Sequence, residues 1–214
     1  MTPEFDVLLA RAETLAASGR RSILGIAGAP GAGKSTLARR LVAALNGRTG
    51  RAVLVGMDGF HLAQAELERL GRAERKGAPD TFDAAGYVAL LHRLRHPEPA
   101  VTVYAPLFRR EIEEPIACAV PVPADVPLVV TEGNYLLVDE PPWSAVRPLL
   151  DQAWFLVLDE STRRAWLIER HRRYGRTAAQ ARERVDGSDE RNARLLAPTA
   201  AHADLIIDPA PPLM

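Results

Sequence analysis

The stretch Gly28-Ala29-Pro30-Gly31-Ala32-Gly33-Lys34-Ser35 lies between a short apolar run at 22–27 (SILGIA) and an amphipathic pattern at 34–45 (KSTLARRLVAAL). A G-x-x-x-x-G-K-[ST] pattern in that setting predicts a buried strand, a tight loop and a helix, in that order. The glycines let the backbone turn so that several N–H groups point inward, and the helix that follows adds the positive end of its dipole. Such a nest suits phosphate oxygens. Lys34 is expected to reach the β- and γ-phosphates of a nucleoside triphosphate, the Ser35 hydroxyl to bind Mg²⁺, and Thr36 to touch an adjacent phosphate. The loop specifies a triphosphate such as ATP and leaves the reaction open.

The rest of the chain alternates in the same way. Thr2 reads as an N-cap and Pro3 as a first helical residue, followed by Phe5, Leu8, Leu9, Ala12, Leu15 and Ala16 at helical spacing up to Gly19. Further strands are expected at 52–57, 101–104, 128–131, 153–158 and 204–207. Helices are expected at 84–95, 143–150, Ser161 to Tyr174, and from Ser188 onward. The segment to about residue 80 reads as polar and Gly-containing. The segment 105–127 reads as a Pro-rich, irregular insert with a hairpin around Ile116–Val122. Short apolar strands alternating with helices predict an α/β fold of three layers, a mostly parallel sheet covered on both faces. No linker divides the chain, so residues 1–214 are expected to form one domain with a helical lid at about 163–190.

Composition narrows the setting. Lys and Arg number 27 and so do Asp and Glu, so no global field draws the protein to nucleic acid or membrane. The single cysteine, Cys118, cannot form an internal disulfide, no apolar run approaches a membrane span, and the N-terminus is acidic. These features predict a cytoplasmic protein. The basic residues are 25 Arg and two Lys, Lys34 and Lys76.

Two carboxylates fall at predicted strand ends, where doubly wound sheets bind ligands. These are Asp58 in Met57-Asp58-Gly59-Phe60-His61 and Glu132 in Thr131-Glu132-Gly133-Asn134-Tyr135. Each can hold magnesium or accept a proton from a hydroxyl. Asp58 is favoured as the base and Glu132 as the metal or water ligand, with the reverse left open. Residues 163–194 hold ten arginines against five acidic residues. Arg170, Arg173 and Arg176 are spaced by three, and arginine forks on a closing lid suit a transferring phosphoryl group.

Taken in order, GAPGAGKST (28–36), MDGFHL (57–62), KGAPDTFD (76–83), VYAPLFRR (103–110), TEGNYLL (131–137) and RHRRYGRT (170–177) resemble a kinase superfamily across nearly the whole length. It is the P-loop superfamily of phosphoribulokinase, uridine kinase and type I pantothenate kinase. Within it the chain looks most like small bacterial nucleoside/nucleotide kinase family proteins related to a fructose-transport kinase. The resemblance implies ATP- and Mg²⁺-dependent phosphorylation of a hydroxyl on a nucleoside, sugar or pantothenate-like acceptor. It also implies Asp58 as base, Arg170, Arg173 and Arg176 as lid arginines, and Tyr104 near the acceptor. Two positions depart from uridine kinases: Gly77 stands where they carry a ribose-gripping Asp, and Arg109 near where they carry a His. Arg109 and Arg110 could suit an anionic acceptor, and His61, Asn134 and Asn192 are further candidates for substrate contact. Related kinases often dimerise, so a homodimer is one expectation. The competing reading is a nucleotide-dependent regulatory ATPase, or switch, acting on a protein partner.

Overall fold

The computed structural model describes residues 5–48 and 51–208. The expected Thr2–Pro3 helix start lies outside them. Five strands form a parallel sheet: β1 (Ser22–Gly28), β2 (Ala52–Gly56), β5 (Leu128–Glu132), β6 (Gln152–Leu156) and β7 (Leu205–Ile207), in the spatial order β2-β5-β1-β6-β7. β1 and β5 are buried along their whole length. On β1, Leu24 and Ile26 pack on one face with α1 (Phe5–Ala16) and α2 (Lys34–Arg48) through Leu8, Leu9, Leu37, Leu41 and Leu45. Ile23 and Ala27 pack on the other with α4 (Ala84–Arg95) through Tyr87, Leu91 and Leu94, and with Trp143 and Phe155. Strands apolar on both faces are what a parallel sheet between two helical layers requires.

Buried polar groups lock this arrangement. Thr131 Oγ1 donates to the Val55 carbonyl at 2.6 Å and lies 2.6 Å from the Tyr87 hydroxyl, joining β5, β2 and α4. Arg21 is 6% exposed, and its guanidinium donates to the carbonyls of Val126, Leu94 and Pro123. A buried cation is tolerable when its donors are satisfied in this way.

Several boundaries differ from expectation for local reasons. The 105–127 segment is not irregular: β3 (Val103–Arg109) pairs antiparallel with β4 (Glu114–Val122) as a separate two-stranded hairpin. Strand 101–104 accordingly begins at Val103 and runs on to Arg109. The 143–150 segment is two 3₁₀ turns, Trp143–Ala145 and Arg147–Leu149. Pro148 has no N–H to offer an α-helix, while Val146 and Leu149 close i→i+3 bonds at 2.9 Å. The polar stretch before residue 80 contains α3 (Gln64–Arg69). Beyond α5 (Glu160–Arg173) lies an additional helix, α6 (Ala178–Arg184). The helix expected from Ser188 is α7 (Glu190–Leu196), preceded by a π turn at Val185–Asp189. Among the described residues no helix is long and apolar enough to cross a membrane.

Candidate active site

The loop after β1 takes its shape from two glycines with left-handed backbone near the start of α2, Gly31 at φ +80° and Gly33 at φ +93°. A Cβ on Gly31 would lie 2.6 Å from Leu167 Cγ and 3.0 Å from the Arg163 carbonyl oxygen, so α5 packs directly on the loop. Arg163 is 4% exposed, pairs with Glu190 at 2.6 Å and donates to the Pro30 carbonyl at 3.4 Å. Ala29 and Pro30 lead into Gly31, Ala32 lies between the two glycines, and Thr36 sits half-buried in the first turn of α2.

Lys34 opens α2 and is 7% exposed. Its Nζ donates to the Gly28 and Ala29 carbonyls at 2.9 Å each and to Asn134 Oδ1 at 2.7 Å. Burial pulls its pKa down to about 8, against the attraction of Glu132 and Asp58. Ser35 Oγ donates to Glu132 Oε1 at 3.0 Å. Glu132 ends β5, 8% exposed. Burial raises its pKa and the negative charge of Asp58 raises it further.

Asp58 lies not at a strand end but in a 3₁₀ turn, Met57–Phe60, immediately after β2. Its carboxylate accepts from Arg110 Nη2 at 3.0 Å, and its backbone carbonyl lies 2.8 Å from His61 Nδ1. Burial opposes its ionisation, but His61, Arg110, Lys34 and Arg170 outweigh that and hold its pKa below the usual carboxylate value. Burial depresses the His61 pKa, so at neutral pH the cations facing Asp58 are chiefly Arg110, Lys34 and Arg170. The two carboxylates are thus pushed in opposite directions, the pattern of a site that divides labour between them. Ser35 and Glu132, bonded to each other, carry the oxygens that would hold Mg²⁺ beside the phosphate loop, while Asp58, the third candidate, is paired with Arg110.

The remaining candidates separate. Asn134 meets Lys34, and Asn192 Nδ2 donates to the Gly77 carbonyl at 3.1 Å rather than facing Asp58. His61 packs against Phe82 and Phe108 with tilted rings, the centroids 4.0 and 4.6 Å away. Tyr104 is 54% exposed on the outer face of β3, and Arg109 is also exposed. The pairing of β3 with β4 shifts register between Ala105 and Leu107, and from there Phe108 and Arg110 turn toward the Asp58 turn. Arg110, not Arg109, therefore meets the site. On α5, Arg170 is drawn in: burial lowers its pKa, while Asp189, Asp58 and Glu132 act in the opposite sense. Arg173 and Arg176 are exposed and, with Glu169, Arg172, Thr177 and Ala178, line an outer hollow of about 440 Å³. The helix ends at Arg173 with Tyr174 as its C-cap, and Gly175 takes φ +94°, so the three-residue spacing loses its helical meaning before Arg176.

Known proteins resemble this chain in sequence and in fold. A provisionally named uridine kinase of Schizosaccharomyces pombe is 35% identical over 211 residues, 95% of this chain and 89% of that protein. A pantothenate kinase of Limosilactobacillus reuteri is 34% identical over 119 residues, 55% of this chain and 36% of that enzyme. The crystal structure of a provisionally named fructose transport system kinase from Silicibacter sp. TM1040 superposes with a TM-score of 0.84 at 35% identity, covering 95% of this chain and 98% of the other. Residues 23–212 match the Phosphoribulokinase / Uridine kinase family. The chain belongs to that family, and its chemistry is ATP-dependent phosphoryl transfer to a hydroxyl acceptor.

Proposed function

We propose that this protein phosphorylates a hydroxyl of a nucleoside, sugar or pantothenate-like small molecule in the cytoplasm, with Asp58 as base and Ser35 and Glu132 as the Mg²⁺ side of the site. One domain carries both substrates, with residues 163–190 as the lid. The observation that carries this reading is the position of the two carboxylates. Glu132 is bonded to Ser35 on the phosphate-loop side, while Asp58 is held by Arg110 on the hairpin side. Bound Mg²⁺ would neutralise charge developing on the phosphate oxygens.

In the transfer, the acceptor oxygen bonds to the γ-phosphorus, the bond from that phosphorus to ADP breaks, and the hydroxyl proton passes to Asp58. An ionised Asp58 orients that hydroxyl more than it pulls on it, which suits a loose phosphoryl transition state. Lys34 and Arg170 supply positive charge beside the transferring group.

A regulatory ATPase would also use the phosphate loop. The hairpin argues against it: a Cβ on Gly59 would lie 2.6 Å from the Pro106 carbonyl oxygen, so the hairpin packs onto the Asp58 turn and walls it as a small-molecule site. The test is acceptor-stimulated ADP release across nucleosides, sugars and pantothenate-like alcohols, repeated with Asp58→Asn. Turnover on the preferred acceptor should fall by roughly a hundredfold or more in the variant while affinity for a non-hydrolysable ATP analogue is kept. A flat response across the panel favours the switch, and near-normal turnover in Asp58→Asn refutes the base assignment.

A further inference from the structure

The acceptor side of Asp58 is cationic beyond what ATP needs. The chain has 25 arginines and two lysines, and both lysines stand at this site. Lys34 serves the phosphate loop; Lys76 has no role there. Lys76 Nζ donates to the Glu113 carbonyl at 2.6 Å and to Gln64 Oε1 at 3.3 Å, two uncharged acceptors. Among the described residues no carboxylate lies within ion-pair distance of it. It lies 5.8 Å from the centre of the Phe108 ring, and the Arg110 guanidinium lies 5.8 Å from the same centre. His61 packs against that ring at a tilt, and both cations act on it. Two cations thus share one aromatic ring beside the reacting carboxylate. One lacks an anionic partner, and the other is bonded to Asp58 through a single nitrogen of its fork.

We propose that the acceptor is an anion, its carboxylate or phosphate oxygens held by Lys76 and Arg110 beside Phe108 while its hydroxyl lies at Asp58. This rests on the kinase reading above and deepens it. A partly buried ammonium with only neutral partners is a ready site for anionic oxygens, and a guanidinium with donors to spare can serve a second anion while keeping the first.

The test pairs neutral and anionic alcohols of similar size: glycerol with glycerate, ribose with ribose 5-phosphate, panthenol with pantothenate. The anionic member should show kcat/KM higher by roughly tenfold or more, the worth of one charge-assisted hydrogen bond. Whether the carboxylates or the phosphate ester lead identifies the source of the anion. Lys76→Gln and Arg110→Gln should each erase most of the preference, and Lys76→Arg, which keeps the charge, should restore it. Equal or better turnover of the neutral members overturns this inference and leaves the kinase reading intact, as does an anionic preference untouched by both Gln variants. Failure of every compound in both arms, with no binding of a non-hydrolysable ATP analogue, overturns both readings. The same failure with the analogue bound overturns the anionic acceptor, and a flat response across the wider panel of nucleosides then favours the switch.

Discussion

Lys34 offers the most direct physical test, because its burial should be visible in stability as well as in catalysis. Lys34 is 7% exposed, and its pKa falls from an ordinary 10.5 to about 8, chiefly through burial. A lysine whose folded pKa is depressed binds its proton more weakly in the folded state than in the unfolded one. Between the two values the unfolded chain holds more protons, so stability rises with pH across that window. The full effect of keeping Lys34 charged is a cost of about 3 kcal/mol below the folded pKa, relieved as pH climbs toward the unfolded value. Between about pH 7.5 and 9.5 the relief amounts to about 2 kcal/mol. Tyr87 and Tyr135, both pushed up by burial, act oppositely, but only as unfolded tyrosines ionise near the top of the window and above. The assay is urea unfolding followed by fluorescence of the three tryptophans, of which Trp154 is fully buried. The wild type should gain about 2 kcal/mol more than Lys34→Met over this range, and the variant should be catalytically dead at both ends. Equal pH dependence in the two proteins, or a loss of stability in the wild type as pH rises, would show that Lys34 is not the buried cation described here.

Gly31→Ala combines a left-handed backbone at φ +80° with a Cβ 2.6 Å from Leu167 Cγ, and should lower stability by at least about 1–2 kcal/mol by chemical denaturation while weakening ATP-analogue binding measured calorimetrically. Glu132→Gln keeps the acceptor for Ser35 but removes a charge from the oxygen donor set. The Mg²⁺ concentration giving half-maximal activity should rise about tenfold or more, measured by magnesium titration of ADP release. Arg170→Ala should cut kcat by at least about a hundredfold, whereas Arg173→Ala, at an exposed position, should stay within about threefold of wild type in the same steady-state assay.

The layered fold was legible because its evidence is local. Runs such as SILGIA and LVVT are apolar at every position, and in the sheet both their faces are buried. The phosphate loop was legible for the same reason, since strand, turn and helix are contiguous. Helix α6 was missed although its start carries a local signal: Thr177 and Gln180 form a reciprocal capping box. The hairpin was half-read as irregular because Pro106, Pro115, Pro121 and Pro123 mask the alternation, and its ladder shifts partway along.

The site itself resisted reading wherever a contact depends on strand order or on which way a side chain turns. Glu132 reaches Ser35 because β5 inserts between β2 and β1 and sets Glu132 beside both Ile26 and Gly56; nothing in the linear spacing of residues 35 and 132 dictates that neighbour. Arg109 and Arg110 are adjacent and chemically identical, so only the register decides which one meets Asp58. A shift next to Pro106 reverses the facing of every later side chain on β3, and a one-residue displacement in a strand exchanges its two faces completely. Arg170, Arg173 and Arg176 obey the same logic in helical form: equal spacing aligns side chains only while the helix lasts, and α5 stops at Arg173. Motif chemistry can therefore be read along the chain. Which of two neighbouring arginines pairs with Asp58 is decided by backbone geometry several residues upstream, and substitutions near Pro106 should therefore alter the proposed acceptor site without touching a single charged group.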